Sequence, residues 1–327
     1  MGTLMTRYGF DRVVNLSGGH PLQGLDEQLA AARAMPGRII VFTTLAYEQA
    51  RFDNYGERMA FLLRVAHERG AMGLKIAKVL GLGLRRPDGS LIAVDDPGLD
   101  PVFETAGELG MPVAIHTADP EAFWLPIDEK NPRHAELEAH PGWAQYGKDV
   151  PSFDALLGQL ERRVARHPRT TFISVHFGNA AERPDQVANM LRRYPNLYID
   201  TAARIPEMGR HEPARMRAFF VEFQDRILYG SDLGVGPTDT PLFLGSQGAD
   251  PPTSEERERF FSASRRYFET ADENFDHPTP IQGAWKISGI ALPAAILDKI
   301  YHLNAARVLR LDSRFPPPAG SGTSAPP

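Results

Sequence analysis

The sequence predicts an α/β fold, a (β/α)8 barrel of TIM type, on three observations. Seven short apolar or β-branched runs recur along the chain, segments with helical spacing separate them, and three of the runs end in His or Asp. Such alternation implies a parallel sheet covered by helices, whose buried strands read as near-continuous apolar runs. An open doubly wound sheet is the rival arrangement. Its dinucleotide-binding form needs a Gly-rich fingerprint between a strand and a helix, and GLGLRRPDG, after Leu80, lacks the required spacing.

In chain order, a short helix-like run, MGTLMTRYGF, precedes the first visible strand, RVVNLSG from Arg12. RIIVFTT from Arg38 and MGLKIAK from Met72 follow. Asp100 and Pro101 then open a helix bearing Val102, Ala106 and Leu109, and Gly110 ends it before PVAIHT from Pro112. Ser152 caps a helix whose apolar face is Phe153, Leu156, Leu157, Leu160 and Val164, with Pro168 beyond its end. TFISVHF from Thr171, LYIDTA from Leu197 and ILYGSD from Ile227 complete the seven. A closed barrel needs eight strands, so the first is expected to be missing.

Two connections, 118–150 and 234–281, are far longer than ordinary loops, and long loops in a compact barrel cover or build the active site. Thr253 and Glu256 form a capping box at the start of SEERERFFSASRRYFET, so the second insertion should contain a helix. The barrel is expected over 1–311. Residues 312–327, ending in PPPAGSGTSAPP, are too rich in Pro, Gly and Ser to bury a core and are expected to be disordered.

Composition narrows the function. With 42% hydrophobic and 24% charged residues, the 327-residue chain falls among soluble globular proteins. Its formal charge of -5 and its scattered arginines leave no basic footprint for nucleic acid, so a small-molecule substrate is expected. A homodimer is the assembly considered. No cysteine is present, which removes disulfides, a thiol nucleophile and thiolate metal sites. No apolar run spans a bilayer and no signal peptide is recognisable, so the expected location is cytoplasmic.

His116, His176 and Asp232 each stand at the end of a predicted strand. Catalytic side chains of parallel barrels converge at the carboxyl ends of the strands, and two imidazoles with a carboxylate suit a divalent metal with an open position. Singly, each has a plainer explanation: a hydrogen-bonded core histidine, or an Asp capping the next turn. Their shared topological position favours function. His20, in NLSGGHPLQG, is also retained, whereas His67, His167 and His302 read as helical, and His134, His140, His211 and His277 as loop residues with structural or solvated roles.

The segments GLKIAKVLGLGLRRPDGSLIAVDDP, PVAIHTADPEAFWLP, NPRHAELEAHPGW, TTFISVHFGN, PNLYIDTAARIPEMGR, QDRILYGSD and ETADENF together resemble the amidohydrolase-related (amidohydrolase 2) branch of the metal-dependent hydrolases, from about Arg7 to about Leu311. The resemblance implies a divalent ion, zinc or else manganese. It implies that His116 is a ligand, His176 a ligand or acid/base group, and Asp232 a ligand and proton acceptor. It further implies hydrolysis of a C–N or C–O bond (amide, ester or lactone), with non-oxidative decarboxylation as the alternative; a barrel that has lost its site and is non-catalytic is the third reading. The family's opening strand ends in His-x-His, which this sequence lacks. A start placed downstream of that strand is the favoured explanation, because MGTLMTRYGFDRVVNLSGG reads directly as the helix and strand that follow it. Such a barrel should leave two strands with unpaired edges, giving poor solubility or drawing a substitute strand from a partner.

Four further residues are candidates for substrate binding. Lys75, in the fourth strand of the family pattern, would anchor a carboxylate or else pair with an acid such as Asp200; Lys78 follows it on the same run. Arg133 and Arg204 would grip an anionic substrate or else brace loops. Trp124, with Phe123 and Trp143, would wall a pocket or serve as a packing anchor.

Overall fold

In the computed structural model, residues 2–235, 243–244 and 252–311 are described. The expected tail 312–327 lies outside them, as does part of the second insertion. Each of the seven predicted runs forms a strand: β1 Val13–Asn15, β2 Ile39–Thr44, β3 Gly73–Ile76, β4 Val113–Ile115, β5 Phe172–Ser174, β6 Leu197–Asp200 and β7 Ile227–Leu228. They make one parallel sheet in chain order, with β1 and β7 at its ends.

Strand alternation divides the core. Outward side chains such as Val41, Leu74, Ile76, Val113, Ile115 and Ile199 pack under the helices. Inward ones, Ile40, Phe42, Ala114, Ile173 and Leu228, form a second cluster inside the curl of the sheet. Gly73 belongs to that inner face: a Cβ there would lie 2.3 Å from the Phe42 ring, so only glycine lets the ring lie across the strand.

The predicted caps are present. Ser152 Oγ accepts the Ala155 N–H at 3.2 Å and opens Phe153–Arg166. Gly110, at φ 63°, ends Asp100–Leu109, and Thr253 and Glu256 make both bonds of the capping box that opens Ser254–Glu269. That helix packs on the N-terminal one, Gly2–Tyr8, through a Tyr8–Phe261 stack. No helix among the described residues is long and apolar enough to cross a membrane.

One expectation needs correction. The outer edge of β7 is covered, and by a helix rather than a strand. Leu228 bonds toward β6, so Ile227 and Tyr229 turn their polar groups the other way. The Ile227 carbonyl accepts Asn304 Nδ2 at 2.8 Å, and the Tyr229 N–H donates to the Ile300 carbonyl at 2.9 Å. Ile300 lies in a π-helical turn, Lys299–Leu303, and Asn304 begins the final helix, Asn304–Leu309. Leu309 and Leu311, beyond that turn, enter the inner apolar cluster. At the other end, Val14 of β1 is partly open to solvent.

Candidate functional site

The carboxyl ends of β3 to β7 gather the chemistry. His116 follows β4, its backbone N–H donating to the Ile76 carbonyl at 2.9 Å, so it sits directly beside the end of β3. His176 follows β5 within HFGN, where four consecutive residues, His176 to Asn179, are left-handed. Ala118, Ala203 and Asp232 are left-handed too, each just beyond a strand end. Such conformations cost about 1–3 kcal/mol each outside glycine and concentrate where structure serves a site.

The two imidazoles meet at 4.3 Å between ring centroids, edge to face. His176 Nδ1 lies 3.0 Å from the Ala202 carbonyl; against an acceptor-only group this nitrogen carries the proton, which leaves Nε2 as a base. His116 Nε2 is buried without a hydrogen-bond partner. Burial holds both rings well below the usual imidazole range; Lys75, Lys78 and Arg204 add to it, as each ring's site is made positive. Both are therefore neutral at physiological pH.

Asp200, at the end of β6, is a participant that the strand-end pattern did not single out, since its strand ends in LYIDTA rather than in a histidine. Its Oδ1 accepts the backbone N–H groups of His176, at 2.7 Å, and Ala202, at 3.1 Å. Burial pushes its carboxyl up to about 6, against the pull of those bonds and of Lys75. Lys75 is brought down to about 8 by burial, with Asp200 and Asp232 opposing. Asp232 stands at the exposed rim. Surrounding protein raises its carboxyl while Arg204, Lys75 and Lys78 lower it, and contact with water weakens both effects.

The other candidates are placed differently. Lys78 Nζ donates to Asp119 Oδ1 at 2.5 Å. Arg204 donates to Asn179 Oδ1 at 2.9 Å and to the Ala203 carbonyl at 3.1 Å, and its Nε is buried without a partner. Arg133 is buried and forms ion pairs with Glu136 and Glu207, which ties the first insertion to the residues after β6. Trp124 Nε1 donates to the Pro151 carbonyl at 3.0 Å, and its ring packs edge to face on Phe153. Phe123 and Trp143 share an apolar cluster with Leu137 and Ala144. His20 is buried with Nε2 3.7 Å from Glu48 Oε2. His277, read from sequence as a loop residue, is buried and bonds the Gly283 carbonyl.

The orphaned His116 Nε2 has the chemistry of a ligand nitrogen for a divalent ion. Among the described residues, however, no three His, Asp or Glu side chains come together to hold an ion. The neighbouring charges are three cations, Lys75, Lys78 and Arg204, and the two carboxylates Asp200 and Asp232. The described residues thus do not fit a complete metal site.

A family described as amidohydrolase matches residues 19–311. A comparison with curated proteins finds no match. Among solved structures, an uncharacterised TIM-barrel protein from Bordetella bronchiseptica is 16% identical, with a TM-score of 0.54 over 96% of this chain and 83% of that one. A 2,6-dihydroxybenzoate decarboxylase from Rhizobium is 18% identical, with a TM-score of 0.53 over 95% and 87%. A dihydroxybenzoic acid decarboxylase from Polaromonas sp. JS666, with bound manganese and 2-nitroresorcinol, is 15% identical, with a TM-score of 0.50 over 95% and 85%. At these identities the likeness is one of fold, and the fold is the (β/α)8 barrel.

Proposed function

The chain belongs to the amidohydrolase family, and from that premise we propose that it is an enzyme that binds a small carboxylic acid at the carboxyl ends of β3 to β7 and releases its carboxyl group as carbon dioxide without oxidation. The observation that carries this reading is the group of three cations that acts on the two strand-end imidazoles. Lys75, Lys78 and Arg204 bear on two imidazoles that burial keeps neutral. A carboxylate entering there meets positive charge in a partly desolvated setting, where such attraction exceeds its value in water.

The proton that replaces carbon dioxide needs a donor, and the return of that proton needs a base. Asp200, brought up to about 6, exchanges protons near neutrality. His176 presents a basic Nε2 fixed by its bond to Ala202. Arg204, Lys75 and Trp124 stay candidates for contact with substrate in this reading, whereas Arg133 has both flanks of its guanidinium committed to carboxylates.

Hydrolysis of an amide, ester or lactone is the second reading, and the orphaned His116 Nε2 favours it as half of a ligand pair with His176. Zinc or manganese would be the ion. Purified protein, stripped of metal and then supplied with zinc or manganese, should be assayed on aromatic and oxo acids for carbon dioxide and on lactones, esters and amides for acid release. Carbon dioxide from an acid supports the proposal. Acid release from a lactone or amide alone replaces it with hydrolysis, and inactivity on the whole panel leaves a non-catalytic barrel.

A further inference from the structure

We infer that the cavity between the first insertion and the loops after β5 and β6 is a binding site for a small organic cation, a primary alkylammonium, held between the carboxylates of Glu182 and Glu207. The inference goes beyond the strand-end chemistry and stands whichever reaction that chemistry performs.

The cavity measures about 200 Å³. Ala122, Leu125 and Pro132 of the insertion form its apolar wall, and Glu182, Glu207 and Arg133 supply polar lining. Leu125 is 44% exposed and so stands at the mouth, whereas Glu207 and Arg133 are buried and form the floor. Two carboxylate oxygens here, Glu182 Oε2 and Glu207 Oε2, are buried without a hydrogen-bond partner. Their sister oxygens are held: Glu182 Oε1 accepts the Glu121 N–H at 3.2 Å, and Glu207 Oε1 accepts from Arg133. Each acid is thus anchored at one oxygen and leaves the other free, on side chains that line one cavity. Both free oxygens lie just beneath the lining, and the soft terminal torsion of a glutamate lets them turn to an entering donor.

Charge selects the ligand. Arg133 is shared by Glu136 and Glu207, so that buried group carries one net negative charge. Glu121 is taken by Arg183 at 2.9 Å, and Arg210 lies over the Trp285 ring at 4.7 Å. Glu182 has no ion-pair partner among the described residues. Burial and the charge of Glu207 raise its carboxyl, while Arg204 and Arg133 lower it. Buried carboxylates without a paired cation are costly, and a cation that enters with hydrogen-bond donors relieves that cost. A primary ammonium brings three donors, enough for both free oxygens, and its short alkyl chain suits the apolar wall. A metal ion is a poorer match, because no three His, Asp or Glu side chains among the described residues gather to hold one. A proton shared by the two acids is the competing occupant.

The test is isothermal titration calorimetry of the full-length protein with propylammonium chloride, set against tetramethylammonium chloride, a cation without N–H donors. The expected result is saturable binding of propylammonium alone, weakened at least about tenfold in Glu182→Gln, which keeps the acceptor for the Glu121 N–H and loses the charge. Thermal melting establishes that this variant folds; should it not, Ala122→Leu, which fills the cavity and leaves both acids in place, should abolish binding. The location is read in wild-type crystals from the bromine signal of bromopropylammonium, expected between Glu182 and Glu207. No binding of propylammonium overturns the inference and leaves a shared proton as the occupant. Equal binding of tetramethylammonium, binding unchanged in Glu182→Gln, or bromine only elsewhere on the protein overturns it as well.

Discussion

At the scale of single residues, Lys75 and Asp200 tie rate to pH. With Lys75 near 8, kcat/KM for a carboxylate substrate should fall as pH rises through about 8, because only the protonated amine attracts it. Asp200 raises the Lys75 value by its charge, and its Oδ1 contacts with two backbone N–H groups survive in Asp200→Asn. That substitution should move the descending limb to lower pH by about 0.5–1 unit while slowing turnover, since the acid is gone. A pH profile of kcat/KM whose limb stays in place would separate the two groups. Stability responds in the opposite sense to function. Lys75 binds its proton less tightly folded than unfolded, so folding is penalised below about pH 8 and recovers as pH rises from there toward 10.5. Lys75→Met should therefore stabilise the fold at pH 7 by about 1–3 kcal/mol, read from urea unfolding.

At the scale of elements, the ion pairs of Arg133 are a brace between the first insertion and the residues after β6. Removing one partner of a buried pair strands the other charge, so Arg133→Ala should cost about 3–5 kcal/mol in urea unfolding. A variant of unchanged stability with a raised KM would instead make Arg133 a substrate contact. The sequence could not choose between these roles: NPRHAEL shows a charged loop, but Glu207, the distant partner, is 74 residues away. The strands were legible for the converse reason. A buried parallel strand reads as a near-continuous apolar or β-branched run, and each of the seven runs is largely of that kind; caps at Ser152 and Thr253 are likewise local signals. Asp200 was less legible because its role comes from a register with β5 that places it against the His176 N–H.

At the scale of the whole molecule, the two ends of the sheet are treated unequally, and the difference is measurable. Seven strands in chain order leave polar groups on the outer sides of β1 and β7, a standing cost in any sheet edge. The sequence announced the edges and not the solution, since Asn304 and Ile300 look like ordinary helix residues and their bonds to β7 span 71 to 77 residues. Asn304 also donates to the Gln224 carbonyl at 2.7 Å, so one side chain satisfies two carbonyls that would otherwise lie unpaired. Leaving two buried acceptors without donors costs about 1–3 kcal/mol each, so Asn304→Leu should lower stability by about 2–4 kcal/mol. Hydrogen exchange distinguishes this edge from the other. The Tyr229 amide, bonded to Ile300, should exchange only through opening of the final helix, whereas Val14, whose N–H points away from β2, should exchange early. In Asn304→Leu the protection of Tyr229 should fall toward that of Val14, with β3 to β5 unchanged; equal loss across all seven strands would mean that the final helix holds the whole sheet rather than its last edge.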